Sequence, residues 1–329
     1  IVFTASAAGE DINTGTDIVS NVSLSNAVNV TDSAYLISRV DVAGDLTVVS
    51  TGQALTVIMT VTNAGTAATY GNVTPSIDVL VSGGAALNQQ AGASVIGPLN
   101  PGDSGSFTWV YDPVSSGMVV FETLAEYDGA DGAVDTGINQ TPQIEIQEKI
   151  SLAAGIYGPA AVNNGQIFEV IMIVTNTGDS TAENVATFIN TVSATGDAAL
   201  ISTLPPSANI PGGSSVQFVW QYEATTTGSL YFSGYASGQD SNNTAYTDST
   251  PWTPRHNLEV QEPSGLSITD FTVYPPVVSV EQNITITMSV TNTGASTVND
   301  IIPSVTYSGS GVLTPVSYTH LTLPTKRIV

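Results

Sequence analysis

The sequence predicts an all-β protein built from tandem two-sheet sandwich domains, arranged as beads on a string. Three observations predict it. Residues 37–63, 150–176 and 266–292 align with one another without a gap. Within each copy, apolar and hydroxylated residues alternate with a period of two, which is the spacing of a strand with one buried face. Between the alternating runs, Gly, Pro and Asn recur about every 8–12 residues, as turns do in all-β sandwiches.

The repeats set the order of the elements. The three segments read ISRVDVAGDLTVVSTGQALTVIMTVTN, ISLAAGIYGPAAVNNGQIFEVIMIVTN and LSITDFTVYPPVVSVEQNITITMSVTN. They close on Asn63, Asn176 and Asn292, so the periods are 113 and 116 residues. Solenoid units run about 20–50 residues, so this period is that of whole domains. Residues 1–33 are then the C-terminal part of one unit, 36–148 and 149–262 are complete units, and 265–315 begin another.

Each unit starts with a strand and a longer alternating strand. Leu55, Val57, Met59 and Val61 form its apolar face in the first complete unit; Phe168, Val170, Met172 and Val174 do so in the second. In the last segment Ile284, Ile286, Met288 and Val290 repeat the pattern. Gly65, Gly178 and Gly294 follow two residues after each Asn, and are expected to take positive φ in tight turns. Next comes a Pro-Gly turn, at Pro101-Gly102 and Pro211-Gly212. It leads into Phe107, Trp109 and Tyr111, or Phe218, Trp220 and Tyr222, whose spacing by two puts the three rings on one face. Their recurrence marks them as core, with Trp109 and Trp220 as packing centres. The run VVFETLAEYDGADGAVDTG then matches LYFSGYASGQDSNNTAYTD and the opening IVFTASAAGEDINTGTD. Short alternating strands close the units at residues 28–32, 144–148 and 258–262. Thr, Val and Ile suit a pleated half-buried surface, and no stretch has helical spacing.

These GQ…VTNTG, PG…F-x-W-x-Y and F-x-x-x-A-x-G-x-D strands resemble the tandem immunoglobulin-like repeats of bacterial and archaeal surface proteins. The nearest named type is CARDB, the cell-adhesion-related domain found in bacteria. The resemblance covers nearly everything before residue 316. It implies immunoglobulin-like sandwiches of about 110 residues, an extracellular setting, and membership in adhesins, S-layer-like proteins or secreted glycoside hydrolases. The Glu/Asp-rich strand after the Trp departs from many such repeats.

Residues 316–329, VSYTHLTLPTKRIV, do not continue the pattern. They resemble one reading frame of a transposase adapter, and are expected to be an artefact of a truncated read; the alternative is a genuine basic terminal strand. The N-terminus carries no initiator Met and no signal-peptide pattern, so an export signal or anchor is expected outside the fragment.

Composition excludes several functions. The 329 residues hold no Cys, 28 acidic and 5 basic residues, for a formal net charge of −23. Without Cys there is no disulfide framework, Cys-ligated zinc, iron–sulfur cluster or thiol catalysis. The charge opposes binding to nucleic acid or to anionic membrane surfaces. No apolar run approaches the ~18 residues of a membrane helix, so no membrane insertion is expected within the fragment.

Candidate chemistry is sparse. His256 is the one His outside the terminal run, and it reads as a polar linker residue rather than the base of a triad. No acid pair recurs in an apolar setting that would split two pKa values. Glu126, Asp128, Asp131 and Asp135 crowd one Gly-rich stretch, and form a candidate Ca²⁺ loop, although their spacing is not that of an EF-hand. The competing reading is a solvated turn. Equivalent stretches carry Glu10, Asp11 and Asp17, or Asp240 and Asp248. No other cofactor is expected. Trp252, between Pro251 and Pro254, breaks the core pattern; it either packs at a domain junction or stacks on a sugar ring. Asn-x-Ser/Thr sequons include those at Asn21, Asn29, Asn72, Asn242 and Asn283. The short runs around 147–149 and 262–265 predict limited flexibility between units.

The expected function is therefore a non-catalytic structural or adhesive repeat region, a stalk or spacer, with a cell-surface protein or glycan as partner. The alternative is a set of carbohydrate-binding or spacer modules of a secreted polysaccharide-degrading enzyme.

Overall fold

The structure, a computed structural model, describes residues 1–28, 33–129, 132–204 and 206–314. The chain divides into two compact units, Ile1–Gln261 and Glu262–Val329. The closing strand expected at 28–32 and the terminal run 316–329 lie largely or wholly outside the described residues.

The first unit opens with β1 (Thr4–Ala5), β2 (Ala8–Asp11), β3 (Thr16–Val19) and β4 (Ser23–Leu24). They form nested antiparallel pairs, β1 with β4 and β2 with β3.

A first sandwich follows. Its strands are β5 (Leu36–Val42), β6 (Val48–Ser50), β7 (Leu55–Asn63), β8 (Thr74–Ser82), β9 (Ala86–Ala91), β10 (Ser104–Ser115), β11 (Gly117–Gly129), β12 (Gly132–Asp135), β13 (Asn139–Gln140) and β14 (Ile144–Gln147). One sheet has the order β5-β7-β10-β9; the other runs β12-β11-β14-β6, with β8 and β13 also paired to β11. The second sandwich repeats the scheme with β15 (Leu152–Tyr157), β16 (Ala161–Asn163), β17 (Ile167–Asn176), β18 (Ala182–Ser193), β19 (Asp197–Leu204), β20 (Ala208–Ile210), β21 (Ser215–Thr226), β22 (Gly228–Asp240), β23 (Thr247–Ser249) and β24 (His256–Gln261). Its sheets are β15-β17-β21-β19 and β16-β24-β22-β18-β20, with β23 on β22.

In both repeats the leading segment splits between the sheets. β5 pairs antiparallel with β7, whereas β6 crosses over to run parallel to β14. β15 and β16 do the same with β17 and β24. The fold is thus a tandem array of immunoglobulin-like β-sandwiches. A three-residue 3₁₀ turn at Ala43–Asp45 is the one helical element among the described residues.

The alternating faces meet between the sheets, as their period of two requires. Met59 lies opposite Phe107 and Val57 opposite Trp109; Met172 lies opposite Phe218 and Val170 opposite Trp220. All eight side chains are buried, along with Phe121 and Phe232 from the facing sheets. Tyr111 and Phe121 pack as tilted rings 5.0 Å apart between centroids, as do Tyr222 and Phe232. Desolvation raises the pKa of the Tyr111 and Tyr222 phenols above the ordinary 10.0, and the Thr191 hydroxyl bonded to Tyr222 partly offsets this.

The recurring Asn has a structural cause. The Asn176 Nδ2 donates to the carbonyls of Ser180 (2.7 Å) and Ile210 (3.1 Å), and its Oδ1 accepts from the amides of Gly178 (3.1 Å) and Ser151 (3.3 Å). One buried side chain so ties together the turn after β17, the strand before β21 and the start of β15. Asn63 does the same with Ala67, Leu99, Gly65 and Tyr35. In the second unit, β25 (Leu266–Tyr274) pairs with β26 (Thr285–Asn292), and Asn292 binds Ser296, Gly294 and Gly265 in the same manner.

The glycine two residues later differs from the expectation. Gly65, Gly178 and Gly294 are not among the positive-φ residues; the turn glycines that are include Gly102 and Gly213. What excludes a side chain is close backbone approach. A Cβ on Gly65 would sit 2.5 Å from the Ser33 carbonyl oxygen, and one on Gly178 or Gly294 would overlap the carbonyl of Lys149 or Pro263. Gly178→Ala must push backbone away from backbone, and should destabilise the second repeat by ~1–3 kcal/mol, read as a lowered urea midpoint.

Candidate functional site

Two places in the second repeat stand out: its joint with the first repeat, and the outer face of its larger sheet. At the joint, β22 ends on Asp240, a residue with no exposed surface. Its Oδ1 accepts from the hydroxyls of Ser50 (2.8 Å) and Ser180 (3.0 Å) and from the amides of Asn242 (2.9 Å) and Asn243 (3.1 Å). Its Oδ2 accepts from the Ile150 amide (3.1 Å). Asn242 extends the cluster, its Nδ2 reaching Gln147 Oε1 (2.9 Å), Ser50 Oγ (3.1 Å) and Ser180 Oγ (3.3 Å).

Ser50 and Gln147 belong to the first repeat, and Asp240, Asn242 and Ser180 to the second, so the carboxylate clamps both. Linker atoms join in: the Glu148 amide donates to Asp179 Oδ2 (3.1 Å), and the Lys149 amide to Thr51 Oγ1 (3.2 Å). Lys149 Nζ lies 4.5 Å from the centre of the Tyr246 ring. Among the described residues no buried side-chain nitrogen or oxygen lacks a partner. A buried carboxylate is tolerated only when hydrogen-bonded in this way. The joint residues are ones that sequence reasoning missed. Local sequence groups Asp240 with the loop acids; the one available signal is that it replaces Gly129 when the repeats are aligned.

Trp252 packs against rings of its own repeat, not at the joint between the two sandwiches. It sits between β23 and β24, where Thr250 and Thr253 donate their amides to the carbonyls of Ala236 and Gly234 in the middle of β22. That places it on the sheet's outer face, which corrects the junction reading. Tyr235 of β22 and Phe188 of β18 are register partners on the same face. The Trp252 ring lies 5.3 Å from Tyr235 and 5.8 Å from Phe188, with interplanar angles of 64° and 87°. Phe188 and Tyr235 lie 5.6 Å apart and within 31° of parallel. The three rings form a corner, not a coplanar row. Trp252 is 52% exposed and Phe188 49%.

The other candidates are placed as follows. Glu126 and Asp128 alternate on the exposed face of β11, and Asp135 on β12 is the register partner of Glu126. The stretch is therefore a strand hairpin, with Asp135 Oδ1 accepting from the Gly137 amide (2.9 Å). Asp131 lies outside the described residues. Among those described, no three His or carboxylate side chains converge on a point that could hold a metal. His256 begins β24, with Nε2 3.1 Å from the Pro159 carbonyl oxygen, to which it donates.

No protein-family model matches the sequence. No curated protein matches it. Among solved structures, the chain is similar to the C-terminal domain of the AgI/II polypeptide BspA of Streptococcus agalactiae, at 8% identity and a TM-score of 0.32, covering 68% of this chain and 100% of that one. It is also similar to Escherichia coli alpha-2-macroglobulin activated by porcine elastase, at 14% identity and a TM-score of 0.27, covering 82% of this chain and 26% of that one. Red sea bream transglutaminase gives 11% identity and a TM-score of 0.23, with 69% and 31% covered. The fold assignment stands on the strand pairing described above. Among the described residues, no helix is long and apolar enough to cross a membrane.

Proposed function

We propose that this chain is a non-catalytic structural and adhesive repeat region, a stalk or spacer, of a prokaryotic cell-surface or secreted protein, built of CARDB-like repeats and working outside the cell. The observation that carries the reading is the Asp240 joint. A hydrogen-bonded carboxylate buried between two sandwiches fixes one against the other, and a spacer that must hold a distance needs that. The strongly acidic surface supports the same role, since like charge keeps extended chains soluble and apart.

Pulling the full chain from its two ends by force spectroscopy tests the load-bearing role. The expected trace has two discrete unfolding events, each releasing roughly 35–40 nm of contour for a repeat of about 110 residues. Extension at low force without discrete events would overturn it.

A second reading is favoured by the Phe188–Tyr235–Trp252 corner: a carbohydrate-binding module of a secreted polysaccharide-degrading enzyme or of an adhesin. Exposed rings beside the polar side chains Asn190 and Ser233 present the apolar faces that pyranose C–H groups pack against.

A further inference from the structure

We propose that the outer face of β18, β22 and β24 binds an otherwise neutral glycan bearing a single carboxylate sugar, with one pyranose ring seated in the Phe188–Tyr235–Trp252 corner and the acid held by Arg255. This rests on the second reading above and adds the chemical class of the ligand.

The corner is not required by the scaffold. In the first repeat the matching register pair is Ser76 with Leu124, where the second has Phe188 with Tyr235. The same sheet folds there without the rings. Large apolar side chains left half in water cost free energy, and a cluster of them marks a surface that something covers.

The charge identifies what covers it. Among the described cations, Arg39 is paired with Asp41 at 2.7 Å and Lys149 sits over Tyr246 at the joint. Arg255 and Lys149 are both exposed, and neither side chain has an ion pair or a hydrogen bond among the described residues; of the two, Arg255 is the one on this face. Its guanidinium lies 4.1 Å over the ring centre of Tyr231. A cation–π contact of that kind fixes the plane and leaves the N–H fork for a planar anion, and a carboxylate fits it with two parallel bonds.

The layout sets the ligand's length. Tyr231 and Tyr235 share the outer face of β22 and are four residues apart, or about 14 Å along the strand. Between them lie Ser233 and its register partner Asn190, both able to bond sugar hydroxyls. The face therefore reads apolar, polar, cationic. That span exceeds one pyranose ring, so the ligand is an oligosaccharide. The net charge of −23 repels a polyanion, and a single Arg matches a single acid, so an isolated carboxylate fits better than a polyuronate.

The test is titration calorimetry on the full chain. The probes are sialyllactose and a glucuronate-bearing xylo-oligosaccharide, each against its carboxyl methyl ester. The expected result is binding of at least one acid, weakened about tenfold or more by esterification or by Arg255→Gln. Trp252→Ala should abolish binding of acid and ester alike. Both side chains are exposed, so each variant keeps the native thermal transition. Equal binding of acid and ester, or no effect of Arg255→Gln, would overturn the acidic-ligand assignment while the glycan-binding reading survives. No binding of any probe would overturn both.

Discussion

Replacing Asn176 by alanine should unfold the second repeat at urea concentrations that leave the first intact. The side chain is buried and makes four hydrogen bonds to backbone groups in three segments. Alanine leaves the Ser180 and Ile210 carbonyls and the Gly178 and Ser151 amides to find water in a closed space. Each buried group left unsatisfied costs ~1–3 kcal/mol, so the loss should be about 4 kcal/mol or more. Domains are stable by about 5–15 kcal/mol in all, so the loss is a large share of the total. Asn176→Asp keeps the acceptor for the two amides but turns a carboxylate oxygen against the Ser180 and Ile210 carbonyls, and at neutral pH should destabilise at least as much as alanine. Chemical denaturation followed by Trp fluorescence reads the outcome. An Asn176→Ala chain with an unchanged midpoint would refute the clamp.

The second large effect is expected at Asp240. Asp240→Ala removes the acceptor for two hydroxyls and three amides. The expected loss is about 3 kcal/mol or more, and it falls on the joint as well as on the second repeat. The two repeats should then unfold in separated transitions. In the wild type they should influence one another, because Ser50 and Gln147 lose partners whenever the second repeat opens. Asp240→Asn is the informative companion. It keeps one oxygen for the Ser50 and Ser180 hydroxyls but sets an NH₂ against the Ile150 amide, so it should be intermediate. Removing Asn242, the other bridge, should loosen the joint with a smaller cost to the repeat. Asn242 also lies in a sequon, and its amide nitrogen is committed to Gln147, Ser50 and Ser180. A glycan on that nitrogen is incompatible with the closed joint.

Much of the fold is legible in the residues because repetition and period act together. Leu55 to Val61 and Phe168 to Val174 alternate over enough residues to fix which face is buried. The Phe-x-Trp-x-Tyr strand follows from the same arithmetic. Legibility stopped where contacts run between segments distant in sequence. The Asn clamp spans 34 residues between Asn176 and Ile210, and the Ser50–Asp240 bond spans 190. Nothing local distinguishes Asp240 from Asp248 or from the hairpin acids Glu126 and Asp128. Asp240 is buried because a second domain sits on it. The glycines after the Asn residues were recognisable as necessary, but for a cause that local sequence does not carry: an approaching carbonyl rather than a left-handed turn. Trp252 was recognisable as out of pattern. Its neighbours Phe188 and Tyr235 were not, because they become adjacent only through the register of β18 with β22.

Asp240 should hold the two repeats in one orientation. The chain has no cysteine, so spin labels can be placed cleanly at Asn88→Cys in the first repeat and Thr226→Cys in the second, both exposed positions. Dipolar electron spectroscopy on the full chain then reads the distance distribution between them. One narrow distribution is expected for the wild type and a broad one for Asp240→Ala, with each repeat still folded. Distributions equally broad in both would contradict it, and the chain would then be a flexible string rather than a spacer of fixed length.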